Sequence, residues 1–286
     1  MCQDCGCGVT TGAVQSAEAS GKVARGQVVD VLGSLLAAND HEAAHNREHF
    51  DRHKVLAINL MSSPGSGKTS LLEATIEALG DRARIAVIEG DLETENDATR
   101  IRAKGVPAVQ ITTGQTCHLD AHMVHEGLHK LDLDAVDILF VENVGNLVCP
   151  AGFDLGQHAD VVLLSVTEGD DKPAKYPVMF RAADLVLLSK ADLLDVLDDF
   201  SPEKAEGHVR ALANPAEVMP VTSRRPETMA PWIAWLEEKL AACRAGEALR
   251  PRTRQGGHSH HHEHGDGHHS PGHHHHIHHH HVHAAE

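Results

Sequence analysis

No stretch of the sequence comes near the roughly 18 consecutive apolar residues that a membrane-spanning helix needs. The N-terminus has no apolar core, and no hydrophobic leader precedes Cys2, so neither a secretory signal nor a lipoprotein cysteine is expected. Basic residues are scarce: 25 Lys and Arg stand against 41 Asp and Glu, a formal charge of −16. That balance supplies no broad cationic face for phosphates and argues against a nucleic-acid binder. These absences point to a cytoplasmic protein, where thiols stay mostly reduced. Its clustered cysteines then read as metal ligands or redox groups rather than disulfide staples.

Histidine is what the sequence has in excess: 26 residues, 16 of them after position 257. Composition divides the 286 residues into four regions. Residues 1–20 are small and polar, with Cys2, Cys5 and Cys7 at the front, and are expected to be a flexible metal-binding segment. Residues 21–53 carry Val28, Val31, Leu32, Leu35 and Leu36 at helical spacing, a helical extension. Residues 54–249 alternate apolar runs with amphipathic stretches, the mark of βα units around a mainly parallel sheet. Residues 250–286 are a histidine-rich low-complexity tail without the apolar content to form a core.

Within the third region, strands are expected at 55–63, 84–91, 107–113, 136–145, 160–169, 184–192 and 217–223. Their runs are apolar on both faces, as in parallel strands covered by helices. Helices fit between them and over 229–246, where Trp232 and Trp235 read as core.

After the first strand comes SSPGSGKTSLL, which has the spacing G-x-x-x-x-G-K-[ST] with Ser62 at the first position. Gly65, Ser66 and Gly67 let backbone N–H groups curl around phosphates at a helix N-terminus. Lys68 reaches the β- and γ-phosphates, Thr69 offers its hydroxyl to Mg2+, and Ser70 continues the turn. The fold class is therefore an α/β P-loop NTPase. Asp91 and Glu142 stand at strand tips, where ligands of open α/β sheets bind, and Glu142 followed by Gly145 reads as a Walker B and second switch. Asp91 alone is also consistent with a helix cap. LLSKAD offers a base-reading loop in which Lys190 covers a ring and Asp192 accepts from guanine N1 and N2 hydrogens; Ser189 stands where such loops usually carry asparagine. VTS at 221–223 is the candidate last base-side loop.

A second set of groups suits a softer metal. Cys117 and His118 open an expected helix on which His122, His125 and His129 share a face with His118, and Cys149 follows the second switch. Such an N/S set suits Zn2+ or Ni2+; a cysteine at a strand end is as readily a small buried apolar residue. His41, His45, His49 and His53 recur every four residues, as a chelating stripe or, the plainer reading, a solvated polar face.

Taken in order, C-x-x-C-G-C, SSPGSGKT, EGD, the Cys-His pair, ENVGNLVCP and K-x-D resemble the HypB family of hydrogenase nickel-incorporation GTPases, over roughly residues 1–8 and 54–246. The resemblance implies hydrolysis of GTP to GDP and a homodimer promoted by GTP or metal. It further implies nickel delivery to the [NiFe]-hydrogenase large-subunit precursor with the companion chaperone HypA. It makes Cys2, Cys5 and Cys7 a tight Ni2+ site, and Cys117, His118, His122 and Cys149 a Ni2+ or Zn2+ site at the dimer interface. The tail then reads as a metal store whose affinity falls as its histidines protonate. A urease-type nickel GTPase and a nickel or zinc storage protein are the rival readings, and an ATP-dependent kinase is a further one.

Overall fold

A computed structural model of the chain describes residues 25–91, 95–114 and 116–249. The N-terminal thiols Cys2, Cys5 and Cys7 and the tail 250–286 lie outside the described residues. The strands are β1 (Leu56–Ser62), β2 (Ile85–Asp91), β3 (Ala108–Thr112), β4 (Ile138–Glu142), β5 (Ala159–Ser165), β6 (Leu185–Ser189) and β7 (Glu217–Pro220). All expected strands are present. They form one sheet in the order β3-β2-β4-β1-β5-β6-β7, every pairing parallel. Every residue of β1 is buried, as a central strand covered on both faces requires. The edge strands β3 and β7 are shorter and partly exposed.

The helices are α1 (Arg25–His53), α2 (Lys68–Leu79), α3 (Asn96–Ala103), α4 (Ala121–Leu128), α5 (Lys172–Lys175), α6 (Pro177–Ala182), α7 (Pro202–Ala211) and α8 (Ala230–Arg244). The two-residue period of β1 divides the core. Leu56, Ile58 and Leu60 face α2 and α8, whereas Val55 and Ala57 face Phe50 of α1 and Val124 and Leu128 of α4. Trp232 and Trp235 stack with centroids 5.5 Å apart, and the Trp232 Nε1–H donates to Thr75 Oγ1 at 2.9 Å. That bond lets the largest buried side chain of this face keep its polar atom satisfied. No helix among the described residues is long and apolar enough to cross a membrane.

From residue 39 onward α1 is part of the layer over the second face of the sheet. The Asn39 amide donates to the Asp154 carbonyl at 2.8 Å. The Asn46 amide donates to the carbonyls of Ala121 and Leu155 at 2.8 and 3.1 Å. Gly156, at φ +89°, lies where a Cβ would meet the Ala43 carbonyl at 2.5 Å, so only glycine lets α1 seat so closely.

Helix α4 begins later than the sequence suggests. Asp120 caps it, its carboxylate accepting from Met123 N at 2.8 Å, so Cys117 and His118 lie in the preceding turn. Of the four histidines expected on one face, His125 and His129 stay together, their ring centroids 4.5 Å apart, while His118 and His122 do not join them. His118 stacks on Phe153 with centroids 4.0 Å apart, and His125 is buried. His122 is 71 % exposed and faces Glu126 at 3.7 Å.

Candidate nucleotide and metal sites

The loop after β1 lies at the carboxyl ends of the strands, beside the point where the sheet order diverges to β4 on one side and β5 on the other. Gly65 and Gly67 take φ of +73° and +97°, conformations that an L side chain rarely adopts and that bring successive N–H groups to the start of α2. The Lys68 ammonium donates to Ser62 Oγ at 2.9 Å, and Ser62 Oγ donates to the Ser63 carbonyl at 2.7 Å. The serine in place of the usual first glycine therefore parks the lysine head within the loop.

Three carboxylates converge beside it: Glu89, Asp97 and Glu142. Glu89 and Glu142 are register partners on β2 and β4, both buried. Thr69 Oγ1 donates to Glu142 Oε1 at 2.9 Å. Burial pushes the Glu89 carboxyl well above the usual carboxylate range, with the neighbouring Glu142 charge adding to it. Burial also raises Glu142, partly offset by Lys68 and by the hydrogen bonds from Glu89 and Thr69. The outer oxygens Glu89 Oε2 and Glu142 Oε2 are buried without a hydrogen-bond partner. Buried oxygen donors of this kind, with the Thr69 hydroxyl, fit a hard cation such as Mg2+. Asp91 closes β2 outside this group, with its carbonyl accepting from Thr113 N at 2.9 Å. Glu89 lies two residues earlier and so faces the same side of β2; only the pairing with β4 reveals that it meets Glu142.

A cavity of about 350 Å³ opens beside the phosphate loop, lined by Gly67, Thr167, Ser189, Lys190, Asp192 and Thr222 among others. Ser189 Oγ donates to the Ser66 carbonyl at 2.7 Å, and Lys190 Nζ to the Gly65 carbonyl at 2.8 Å. Ser189 and Lys190 thus tie the turn after β6 to the phosphate loop. Lys190 sits in the left-handed region at φ +57°, which aims its stem over the cavity side. Thr222 Oγ1 donates to Asp192 Oδ1 at 2.6 Å, and Arg224 stands 3.6 Å from Asp192 Oδ2. The Thr222 bond, more than the arginine charge, holds the Asp192 carboxyl below its ordinary value. The loop 221–223 lines this cavity. Thr167 and Arg224 carry no sequence motif and become visible only through the sheet order.

Cys117, His118 and Cys149 come together, with the two sulfurs 3.0 Å apart. The hydrogen bond shared with Cys117, with burial adding to it, raises the Cys149 thiol above its ordinary value. Burial pulls the His118 imidazole down, keeping it neutral and able to coordinate. Zn–S bonds of about 2.3 Å place two sulfurs on one ion about 3.3–3.8 Å apart, so this pair opens by a few tenths of an ångström to take one. His122 is outside the group. The segment between the sites is tied at both ends. Asn143 Oδ1 accepts from Leu119 N at 3.1 Å, and its amide donates to Asn59 Oδ1 of β1 at 3.2 Å. The Asn146 amide donates to the Cys117 carbonyl at 3.3 Å.

Residues 56–220 match the family described as CobW/HypB/UreG, nucleotide-binding domain. A hydrogenase maturation factor HypB of Azotobacter vinelandii is 53% identical over 230 residues, covering 80% of this chain and 74% of the relative. The crystal structure of HypB from Helicobacter pylori in complex with nickel superposes with a TM-score of 0.70 at 40% identity, covering 75% of this chain and all of that one. The crystal structure of hydrogenase maturation factor HypB from Archaeoglobus fulgidus gives a TM-score of 0.66, also at 40% identity, over 72% of this chain and all of that one. With the phosphate loop, the cavity beside it and the Cys-His-Cys group in place, the chain belongs to the CobW/HypB/UreG family and, within it, to the HypB proteins.

Proposed function

We propose that this protein is a GTPase that hydrolyses GTP to GDP and phosphate and uses the cycle to deliver nickel for [NiFe]-hydrogenase maturation. The observation that carries the reading is the segment 142–149. It begins at Glu142, bonded to Thr69 of the phosphate loop, and ends at Cys149, beside Cys117. A change at the γ-phosphate can therefore be felt at the thiols through one short stretch of chain. The nickel named with the Helicobacter pylori relative supports the cargo.

In this reading Asp192 accepts from the guanine N1 and N2 hydrogens and leaves its carboxylate unpaired with adenine, which disfavours ATP. Lys190 covers the ring. Lys68 exchanges Ser62 Oγ for the β- and γ-phosphate oxygens. Thr69 and Glu142, with Glu89 and Asp97 beside them, would hold Mg2+, which would supply charge neutralisation for the phosphates. Catalysis is then positioning of water in line and stabilisation of charge, and turnover is slow. Nickel is carried by Cys117, His118 and Cys149. Cys2, Cys5 and Cys7 load the ion and the tail stores Ni2+ or Zn2+. The partners are a second copy of the chain, the chaperone HypA and the hydrogenase large-subunit precursor.

The test pairs two measurements on the full chain. GTP should be bound and hydrolysed far better than ATP, and expression should restore hydrogenase activity to a maturation mutant at limiting nickel, with a Lys68→Ala variant failing at both. Equal use of the two nucleotides, or rescue by Lys68→Ala, would overturn it.

A further inference from the structure

Four histidines converge where α1 meets α4, away from the thiol site. His45 and His49 lie one turn apart on α1; His125 and His129 lie one turn apart at the end of α4. Ring centroids are 4.7 Å apart for His45 and His49, 4.8 Å for His45 and His125, 5.6 Å for His49 and His125, and 4.5 Å for His125 and His129. One ring nitrogen from each of His45, His49 and His125 lies within 4.8 Å of the others. The stripe on α1 is therefore not a solvated face throughout: His45 and His49 turn toward the domain.

The orientation of His125 is fixed by its neighbours. The Asn46 amide nitrogen donates to two carbonyls, Ala121 and Leu155, which turns its Oδ1 toward His125 Nδ1 at 3.0 Å. An amide oxygen only accepts, so Nδ1 carries the proton and Nε2 keeps its lone pair. This is the arrangement by which a hydrogen-bonded partner orients a ligating imidazole. His125 Nε2 lies 3.0 Å from His129 Nε2. Metal–nitrogen bonds of about 2.0–2.1 Å put two ligands on one ion about 2.9–3.4 Å apart, so this pair already stands at a coordinating separation. The Glu42 carboxylate lies 3.7 Å from His125 Nδ1 and 3.8 Å from His45 Nδ1, a negative charge beside the cluster.

We infer that His45, His49 and His125, with His129 and Glu42 beside them, form a further binding site for a divalent transition ion of the Zn2+ or Ni2+ class, clamping α1 to α4. An imidazole set with one carboxylate suits such borderline ions. The site is independent of the GTPase reading, since none of its residues touches the phosphate loop or the thiols. Its effect is mechanical: an ion there joins the extension that follows the N-terminal cysteines in sequence to the domain that bears the nucleotide.

Peptide-resolved amide hydrogen exchange of the full chain reads this site separately from the tail. Zn2+ is held at a fixed free concentration by a chelator, so that binding by the tail does not change it. At a free concentration 100 times the dissociation constant, exchange from the open form of residues 41–53 and 121–129 should slow by about 100-fold. A His45→Gln/His49→Gln variant should lose that slowing in 41–53 while the segment 146–149 keeps its own response to the metal. The single His49→Gln variant, with the nucleotide affinity as a check of folding, serves if the double variant is unstable. Wild-type exchange in 41–53 unchanged by Zn2+, or slowing retained in a folded variant, would overturn the inference.

Discussion

Gly145 lies against Pro64 so closely that a Cβ on it would stand 2.8 Å from the Pro64 Cα. The segment after Glu142 thus touches the phosphate loop backbone to backbone, and neither side can yield by a rotamer change. Gly145→Ala should force the two loops apart, at a cost of about 1–3 kcal/mol. Thermal unfolding should show that loss, and nucleotide should restore less stability than in the wild type. An unchanged melting temperature and nucleotide response would show that the contact does not constrain the switch.

The paired Glu89 and Glu142 give a pH dependence whose sign follows from their raised pKa values. The folded chain holds a proton that the unfolded chain releases near 4.5. The contribution of the pair is complete below that value and is lost as pH rises toward the folded pKa. One retained proton lowers stability by up to about 1.4 kcal/mol per pH unit. Metal-free protein should therefore be less stable at pH 8 than at pH 6, and Glu89→Gln should flatten the slope. Added Mg2+ should do the same for the wild type. A slope that is the same in Glu89→Gln assigns the pH dependence elsewhere.

The proposed guanine contact at Asp192 yields a specificity prediction. Hydrogen bonds to a charged group contribute about 1.5–3 kcal/mol, so Asp192→Ala should weaken GTP binding by about 10- to 100-fold and leave ATP binding almost unchanged. Ser189→Ala removes one neutral bond to the Ser66 carbonyl, of about 1 kcal/mol, and should weaken both nucleotides alike. Titration calorimetry with both nucleotides separates the two effects. Parallel losses in both variants would mean that Asp192 acts on the loop rather than on the base.

The strands were legible because a parallel strand covered on both faces is a continuous apolar run; all of β1, β4, β5 and β6 read that way. The phosphate loop was legible because its chemistry is local in sequence. Contacts made across the sheet were not. Glu89 meets Glu142 through strand pairing, and Asp97 joins them from α3. Thr167 reaches the cavity only because β5 lies next to β6. The shared face expected for His118, His122, His125 and His129 holds for His125 and His129 alone: Asp120 caps α4, so the helix starts after the Cys-His pair, and His122 stands beside Glu126 instead.

Removing Asn146 tests the tether between switch and thiols. Its side-chain amide nitrogen donates to the Cys117 carbonyl and its Oδ1 accepts from Val148 N at 2.8 Å. Asn146→Ala should cost about 1–2 kcal/mol and reduce the effect of nucleotide on metal binding more than it reduces GTP binding itself. Equal losses in both would indicate a general loosening of the loop.

The most direct measurement is Ni2+ affinity at Cys117 and Cys149 in the full chain with GDP and with a GTP analogue. It is read as the thiolate-to-nickel absorbance that disappears in a Cys117→Ser/Cys149→Ser variant. Coupling through residues 142–149 predicts different affinities in the two nucleotide states, by about 5- to 150-fold if it has the usual size of 1–3 kcal/mol. The same affinity with both nucleotides would contradict it.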